Sequence, residues 1–397
     1  MRLSSEEEAI LAGEQGETRA RMLEILIALG KVYGAERLIP IRSAQVSGAS
    51  FKTIGRYGLE WLQQLDARVA VPTVLNPVGM DRVRWQEMGI DPGFARAQEE
   101  VIAAYRKLGL ALECTCTPYY LYVTQYGDHL AWSESSAVVY ANSVIGARTN
   151  REGGPGALAA AIMGRTPEYG LHLVSQRRPE IVVRVEGGAS LSDPALFGAL
   201  GYHVGKLVGG RIPLFEGISP RRDNLKALGA AMAASGAVAL FHVAGITPEA
   251  RIFSFSTGDL EVITVEGKEI ETIMEEIPVE AVALGCPHCS PQELGTIARL
   301  LEGKVTKIPC YVFAARGVIE RHRDDVAVIE ASGARVFADT CMVVSPAMER
   351  FRAIMVNSGK AFSYVPGMCG AAVRLGTTEE CIGVATGETT GRSGKNR

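Results

Sequence analysis

A chain of 397 residues, 47% hydrophobic and 21% charged, carries enough apolar mass for two or three domains or one large layered enzyme. Its formal net charge of -3 offers no sign of the basic surface that nucleic acid or an anionic membrane requires. The opening run Met-Arg-Leu-Ser-Ser-Glu-Glu-Glu is acidic and has no apolar stretch, so a cytoplasmic setting with reduced thiols is expected.

Ser4 with Glu7, or Ser5 with Glu8, forms a capping box that opens a short helix. A longer helix follows over Glu17–Tyr33, with Met22, Leu23, Ile25, Leu26 and Leu29 at helical spacing. Next come a strand at Arg68–Val74, a helix at Pro92–Leu108 and a strand at Ala111–Thr115. Glycine-rich stretches at Gly153–Gly156 and Gly209–Pro220 are soft internal breaks. Between them lie a strand at Glu180–Glu186 and a helix at Pro194–Val208. Ala227–Ile246 has no formal charge and mimics a membrane span. Ser235-Gly236 splits it, however, into an Ala-rich helix and a strand-like run, Ala237–Val243, so no membrane partner is expected. The alternation continues with strands at Ala281–Leu284, Ile308–Ala314 and Arg335–Phe337 and helices at Pro291–Leu301 and Arg316–Ser332. The polar Gly391–Arg397 end is expected to fray. This grammar predicts an α/β protein with largely parallel sheets, and ligand sites beyond the carboxyl ends of the strands.

Eight cysteines are many for a reduced chain, so metal or cluster binding competes with simple burial. Cys286 follows the strand ending at Leu284. It precedes a helix start marked by Ser290, Glu293 and Pro291, where free backbone N–H groups favour thiolate. Cys116 and Cys341 also lie directly after predicted strands. Three cysteines from three strand ends can converge, and three thiolates hold a [4Fe–4S] cluster while leaving one iron open. Other readings stay open. A zinc site built from Cys286, Cys289, Cys114 and Cys116 is conceivable, although Cys-x-Cys is a poor match to zinc knuckles. A lone nucleophilic cysteine would need a base, and the adjacency of His288 does not place one. Cys310, inside an apolar strand, reads as core, while Cys369 and Cys381 flank glycine-rich loops and stay unassigned. His129, His172, His203, His242 and His322 lack metal-ligand spacing and read as structural.

Seven segments in order carry a family resemblance: Ser43–Gly55, Val71–Asp81, Thr115–Tyr119, Glu134–Asn150, Gly285–His288, Asp339–Cys341 and Asn357–Lys360. Over essentially its whole length the chain resembles the large subunit of the aconitase X family. The resemblance implies an aconitase-like fold, with several α/β/α domains around a central cluster site and a swivel domain on a separate small subunit. It implies a [4Fe–4S] cluster held by Cys116, Cys286 and Cys341, with Cys289 in reserve, that oxidation can strip to [3Fe–4S]. Two activities are known in the family. One is dehydration of (R)-mevalonate 5-phosphate to trans-anhydromevalonate 5-phosphate in the archaeal modified mevalonate pathway. The other is dehydration of cis-3-hydroxy-L-proline, typically by a longer chain with the small domain fused. This chain leaves no room for the fused domain, which favours the heteromeric enzyme acting on a phosphorylated hydroxy acid. The alternatives are the hydroxyproline dehydratase, a non-catalytic iron–sulfur or metal-binding regulator, and, disfavoured, a Cys/His hydrolase.

Elimination of water β to a carboxylate requires removal of the α-proton, a counter-charge for the carboxylate and help for the departing hydroxide. The resemblance places the base, a serine, on the small subunit, so this chain alone is expected to be nearly inactive. Candidate substrate binders come from the family-like segments. Ser47, Gly48, Ala49 and Ser50 form a small-residue loop that cradles an anion or is an ordinary tight turn. Asn76 is a ligand or an Asn-Pro turn signal. Glu134, Ser135 and Ser136 cap a helix or touch substrate. Arg148 is a carboxylate or phosphate fork, or a solvated loop arginine. Asn357, Ser358 and Lys360 resemble a ligand-facing turn, with Lys360 a point charge or a surface lysine. His288 is expected to orient the cluster site as a hydrogen-bond donor.

Overall fold

The structure is a computed structural model that describes residues 1–388 except 187–190, 192 and 254; the 391–397 end lies outside the described residues. Its first region is built on β1 (Leu38–Pro40), β2 (Ala44–Val46), β3 (Thr73–Leu75), β4 (Ala111–Cys114), β5 (Ala131–Trp132) and β6 (Arg165–Pro167). A parallel sheet runs in the order β4-β3-β2-β5, and β1 pairs antiparallel with β6 beside it. The second region holds β7 (Ile181–Glu186), β8 (Pro213–Glu216), β9 (His242–Val243) and β10 (Glu261–Glu266), in the order β10-β7-β8-β9. The third holds β11 (Ala281–Cys289), β12 (Cys310–Ala314), β13 (Arg335–Phe337), β14 (Ala353–Val356) and β15 (Ala372–Leu375), in the order β13-β12-β11-β14-β15. All pairings within these last two sheets are parallel. The architecture is the expected α/β one, with parallel strands buried under helices.

The helices start where the chemistry of their first residues says they should. Asp91 accepts from the N–H groups of Gly93 and Phe94 to open Pro92–Lys107. Asp193 opens Pro194–Val208, and the Ser290–Glu293 box opens Pro291–Leu301. Proline at the first helical positions adds pre-set backbone and removes an N–H that would lack a partner.

Several expectations shift in detail. The Arg68–Val74 strand contracts to β3. The Arg316–Ser332 helix breaks at His322 into Arg316–Arg321 and Arg323–Ala331, because Asp324 and Asp325 make a favourable new first turn. Ala237 adopts φ 60 after Gly236, so the run to Val243 pairs only at β9. The uncharged 227–246 stretch is therefore a helix end, a turn and a short strand, and among the described residues no helix is long and apolar enough to cross a membrane. The glycine-rich segment 153–156 supplies the start of the helix Gly154–Met163, and 209–220 contains β8.

β11 continues past Leu284, but irregularly. Its register against β12 shifts between Leu284 and Cys289. Gly285 makes this possible: its φ is 95, and a Cβ there would stand 2.2 Å from the Phe313 carbonyl oxygen.

His172 and His242 are both 1% exposed. Burial, reinforced by the nearby cationic Arg177, holds their imidazoles at about 3 and about 4. The His242 Nε2–H donates to the Arg177 carbonyl at 2.8 Å, which the neutral ring can do. The unfolded chain takes up these protons near pH 6.5, before the folded one does. Stability is thus insensitive to these groups above about pH 6.5 and falls as pH drops toward 4. Denaturation midpoints measured at about pH 7.5, 6 and 5 should decrease in that order. A profile that stays flat or rises on acidification would contradict the buried neutral state.

Candidate active site

The carboxyl ends of the first and third sheets face each other across a cavity of about 220 Å³. Cys116, just after β4, Cys286, in the irregular end of β11, and Cys341, after β13, all line it. Ser47 follows β2, Asn76 follows β3, Ser133, Glu134 and Ser135 follow β5, and Lys360 begins the helix after β14; these line it too. Parallel strands place their exit loops on one side, which is why residues so distant in sequence meet here.

One imidazole ties the three cysteine-bearing segments together. The His288 backbone N–H donates to Cys116 Sγ at 3.1 Å. Its Nε2 lies 2.7 Å from the Thr340 carbonyl oxygen and its Nδ1 lies 2.9 Å from Thr115 Oγ1. A carbonyl only accepts, so Nε2 carries the proton and Nδ1 accepts from the Thr115 hydroxyl. Burial holds this ring neutral, at about 4, aided by the cations Lys226 and Lys360 against the hydrogen bond to Thr340. A second clamp lies beneath it. Arg316 Nη2 bridges Asp339 Oδ2 at 2.5 Å and Asp81 Oδ1 at 3.2 Å, and Asp81 Oδ2 accepts from the Ala338 N–H at 2.8 Å. The Val78 N–H donates to the Asp339 carbonyl at 2.8 Å, joining the loop after β3 to the loop that carries Cys341.

Lys360 is 6% exposed and bonds the Glu134 carboxylate, with Ser136 Oγ at 3.2 Å. Burial alone would raise the Glu134 pKa, but the Lys360 charge and the donors Ser136 and Ala137 outweigh it and hold the group below the usual range. Burial would likewise discharge Lys360, yet the Glu134 carboxylate keeps it cationic. The three thiols are pushed up by burial, Cys116 to about 12, while the Lys360 charge draws each of them back down. Cys341 also accepts from the N–H groups of Val343 and Val344. Buried thiols of this kind stay protonated until a cationic group takes the place of their protons. Asn76 Oδ1 is buried with no hydrogen-bond partner, an open acceptor in a residue that lines the cavity.

Several sequence candidates lie elsewhere. Gly48 lines an adjoining cavity of about 320 Å³ that shares Ser47. The Ala49 carbonyl accepts from Gln98, and Ser50 precedes a helix with its Oγ donating to the Val344 carbonyl at 3.3 Å. Ser136 stands behind Glu134. Arg148 pairs by a backbone bridge with His129 and lies near His172 and Arg177. Asn357 bonds Thr378 and Ser358 bonds the Cys286 carbonyl, both outside the cysteine cavity. Cys289 shares a small crevice with Lys226 and Glu293, and Cys114 packs into the first core, so the four-cysteine zinc arrangement does not assemble. Among the described residues no trio of His, Cys, Asp or Glu is placed to hold a single metal ion. Sequence reasoning missed Arg151, Ser133 and Tyr364, which line the cavity. Arg151 sits in the same glycine-rich stretch as Arg148, but Arg148 is bridged to His129 while Arg151 reaches the Ala233 carbonyl and the cavity.

Comparison with known proteins gives one consistent answer. Residues 1–175 match the aconitase X first domain, 179–275 the second and 279–387 the third. The phosphomevalonate dehydratase large subunit of Methanosarcina mazei is 54% identical, over 98% of this chain and 98% of that protein. A cis-3-hydroxy-L-proline dehydratase of Pseudomonas aeruginosa is 34% identical over 97% of this chain, which spans 70% of it. The crystal structure of Thermococcus kodakaraensis aconitase X in its holo-form superposes with a TM-score of 0.90 at 44% identity, covering 97% of this chain and 100% of that one. The chain belongs to the aconitase X family.

Proposed function

We propose that this chain is the large subunit of a hydro-lyase that converts (R)-mevalonate 5-phosphate to trans-anhydromevalonate 5-phosphate and water. The observation that carries the reading is the meeting of Cys116, Cys286 and Cys341 on one cavity beside the Glu134–Lys360 pair. The choice of substrate rests on relatedness. The phosphomevalonate dehydratase subunit matches end to end at 54% identity, whereas the hydroxyproline dehydratase matches at 34% and is longer.

The donor set fits an iron–sulfur cofactor. Three soft thiol ligands, raised in pKa by burial and waiting for a cationic partner, suit a [4Fe–4S] cluster, whereas no trio among the described residues is placed to hold a single zinc ion. Such a cluster, when bound, supplies a Lewis acid at the iron that no protein thiolate holds. The chain's own residues do the rest. Arg151, exposed at the cavity, is the cation available to a substrate carboxylate or phosphate, because Lys360 is already matched by Glu134. The open Asn76 Oδ1 accepts from a substrate hydroxyl, and Ser47 and Ser135 offer hydroxyls around it. His288 holds the cysteine segments in place through its neutral ring. The base that removes the α-proton comes from a small subunit with a swivel domain, and the pair works in the cytoplasm where the thiols stay reduced.

Replacing Cys116, Cys286 or Cys341 by Ser in anaerobically prepared protein should each abolish bound iron and the visible cluster absorption, while Cys289→Ser keeps both. Retention of the cluster in any of the trio would revise the ligand set. Combined with the small subunit, the intact chain should dehydrate mevalonate 5-phosphate and leave cis-3-hydroxy-L-proline untouched; the reverse preference would overturn the assignment. His288→Ala removes two buried hydrogen bonds and should lower stability by about 2–4 kcal/mol, with the cluster lost faster on exposure to air than in the parent. An unchanged rate of cluster loss would show that His288 does not position the cysteines.

A further inference from the structure

A second cavity, of about 570 Å³, opens between the second and third regions, and no residue lines both it and the cysteine cavity. We propose that it binds a small phosphate-bearing molecule. That the cavity binds phosphate does not need the dehydratase reading; only the second of the two ligand sources named below rests on it.

Four helices begin on its wall: Pro194–Val208, Arg222–Ser235, Pro291–Leu301 and Thr378–Thr386. Three have side-chain caps, from Asp193, Ser290 and Thr377. Arg222–Ser235 has no side-chain cap hydrogen bond, so its first turn keeps free N–H groups and the positive end of its dipole. Asn224 lies in that turn, lines the cavity and is 5% exposed. Its Oδ1 accepts from the Arg221 N–H at 2.9 Å, which fixes the orientation of the amide. Its Nδ2 is then a buried donor with no partner. Such a group costs free energy unless a ligand acceptor meets it.

The wall carries two guanidinium groups and three carboxylates, so what matters is which of them are already engaged. Arg221 and Arg222 are exposed, and neither forms an ion pair among the described residues; Arg222 bonds the Tyr140 phenol. The carboxylates present are engaged. Asp193 accepts from the Ala195 and Thr378 N–H groups, Asp223 accepts from Ser290 Oγ at 3.0 Å, and Glu293 takes Lys226 Nζ at 2.5 Å. Arg221, Arg222 and the Asn224 amide are left on this wall without a carboxylate partner. Two guanidinium groups, an amide and an uncapped helix start form a phosphate-type donor set, in a volume suited to a small molecule. The ligand is either a separate phosphorylated metabolite or the phosphate end of the substrate.

The test is calorimetric titration of inorganic pyrophosphate into the cluster-loaded full chain and its Arg221→Ala/Arg222→Ala variant. The parent should bind, and the variant should bind at least about tenfold more weakly, as expected for two lost charge-assisted contacts. Iron content and thermal midpoint should not change. Binding that persists in the presence of saturating mevalonate 5-phosphate identifies a separate metabolite site. Displacement by that compound, with a raised KM in the variant assayed with its small subunit, identifies the substrate's own phosphate. Equal affinity in parent and variant, or no binding to the parent, overturns the proposal. Because the titration reads binding alone, it remains interpretable if the chain turns over no mevalonate 5-phosphate.

Discussion

The candidate site depends on one neutral imidazole. His288 satisfies the Thr340 carbonyl with its single proton and leaves Nδ1 to accept from Thr115. Thr115 Oγ1, having given its proton to the ring, uses its lone pairs for the Thr117 N–H at 3.1 Å and the Thr117 hydroxyl at 3.0 Å. Every proton in this chain of contacts has one destination. A protonated ring would turn Nδ1 into a donor facing the Thr115 hydroxyl, which would then have to turn its own proton away. The low ring pKa, caused first by burial, is thus part of the geometry. Through it, three segments well separated in sequence, carrying Cys116, Cys286 and Cys341, share one anchor.

Electrostatics explains why such a site tolerates burial. Lys360 and Glu134 neutralise each other, so this buried pair carries no net charge and Arg151 is left as the exposed cation at the cavity. The thiols beside them are held protonated by burial. Removing one member of the pair would strand a charge in a space that excludes water, a far larger cost than the net worth of the pair itself. Lys360 also lowers the cost of forming thiolates nearby, so it prepares the cysteines for a cationic cofactor without leaving them ionised beforehand.

Much of this was legible in the sequence because its signals are local. Asp91, Asp193 and the Ser290–Glu293 box announce helices that begin within a residue or two of them. Cysteines after predicted strands fell at carboxyl ends because parallel strands leave little choice. Where the deciding contact is non-local, the signal fails. Arg148 and Arg151 look alike in a glycine-rich stretch, yet Arg148 is bridged to His129 while Arg151 lines the cavity. Asn357 and Lys360 look like one ligand-facing turn. Yet the Ser358 bond to the Cys286 carbonyl puts Asn357 on one side of a wall and Lys360 on the other. Asn224 carried no local mark at all; its importance comes from an amide fixed by Arg221 and left open at one end.

That wall gives the third sheet its central place. β11 is the middle strand of five, and its exit segment borders the cysteine cavity through Cys286, while the helix that follows borders the second cavity through Pro291 and Glu293. The segment passes so close to β12 that only glycine fits at position 285, beside the Phe313 carbonyl. A chain that turns this tightly has few alternative paths, which limits how far Cys286 can move without disturbing the helix after it. The Asn357–Ser358 turn touches the same segment from the next strand, with Asn357 reaching Thr378 at the second cavity and Ser358 reaching Cys286. Rigid packing at Gly285 and two adjacent side chains on β14's exit loop therefore make the positions of the two cavities mutually dependent, whether or not both are filled at once.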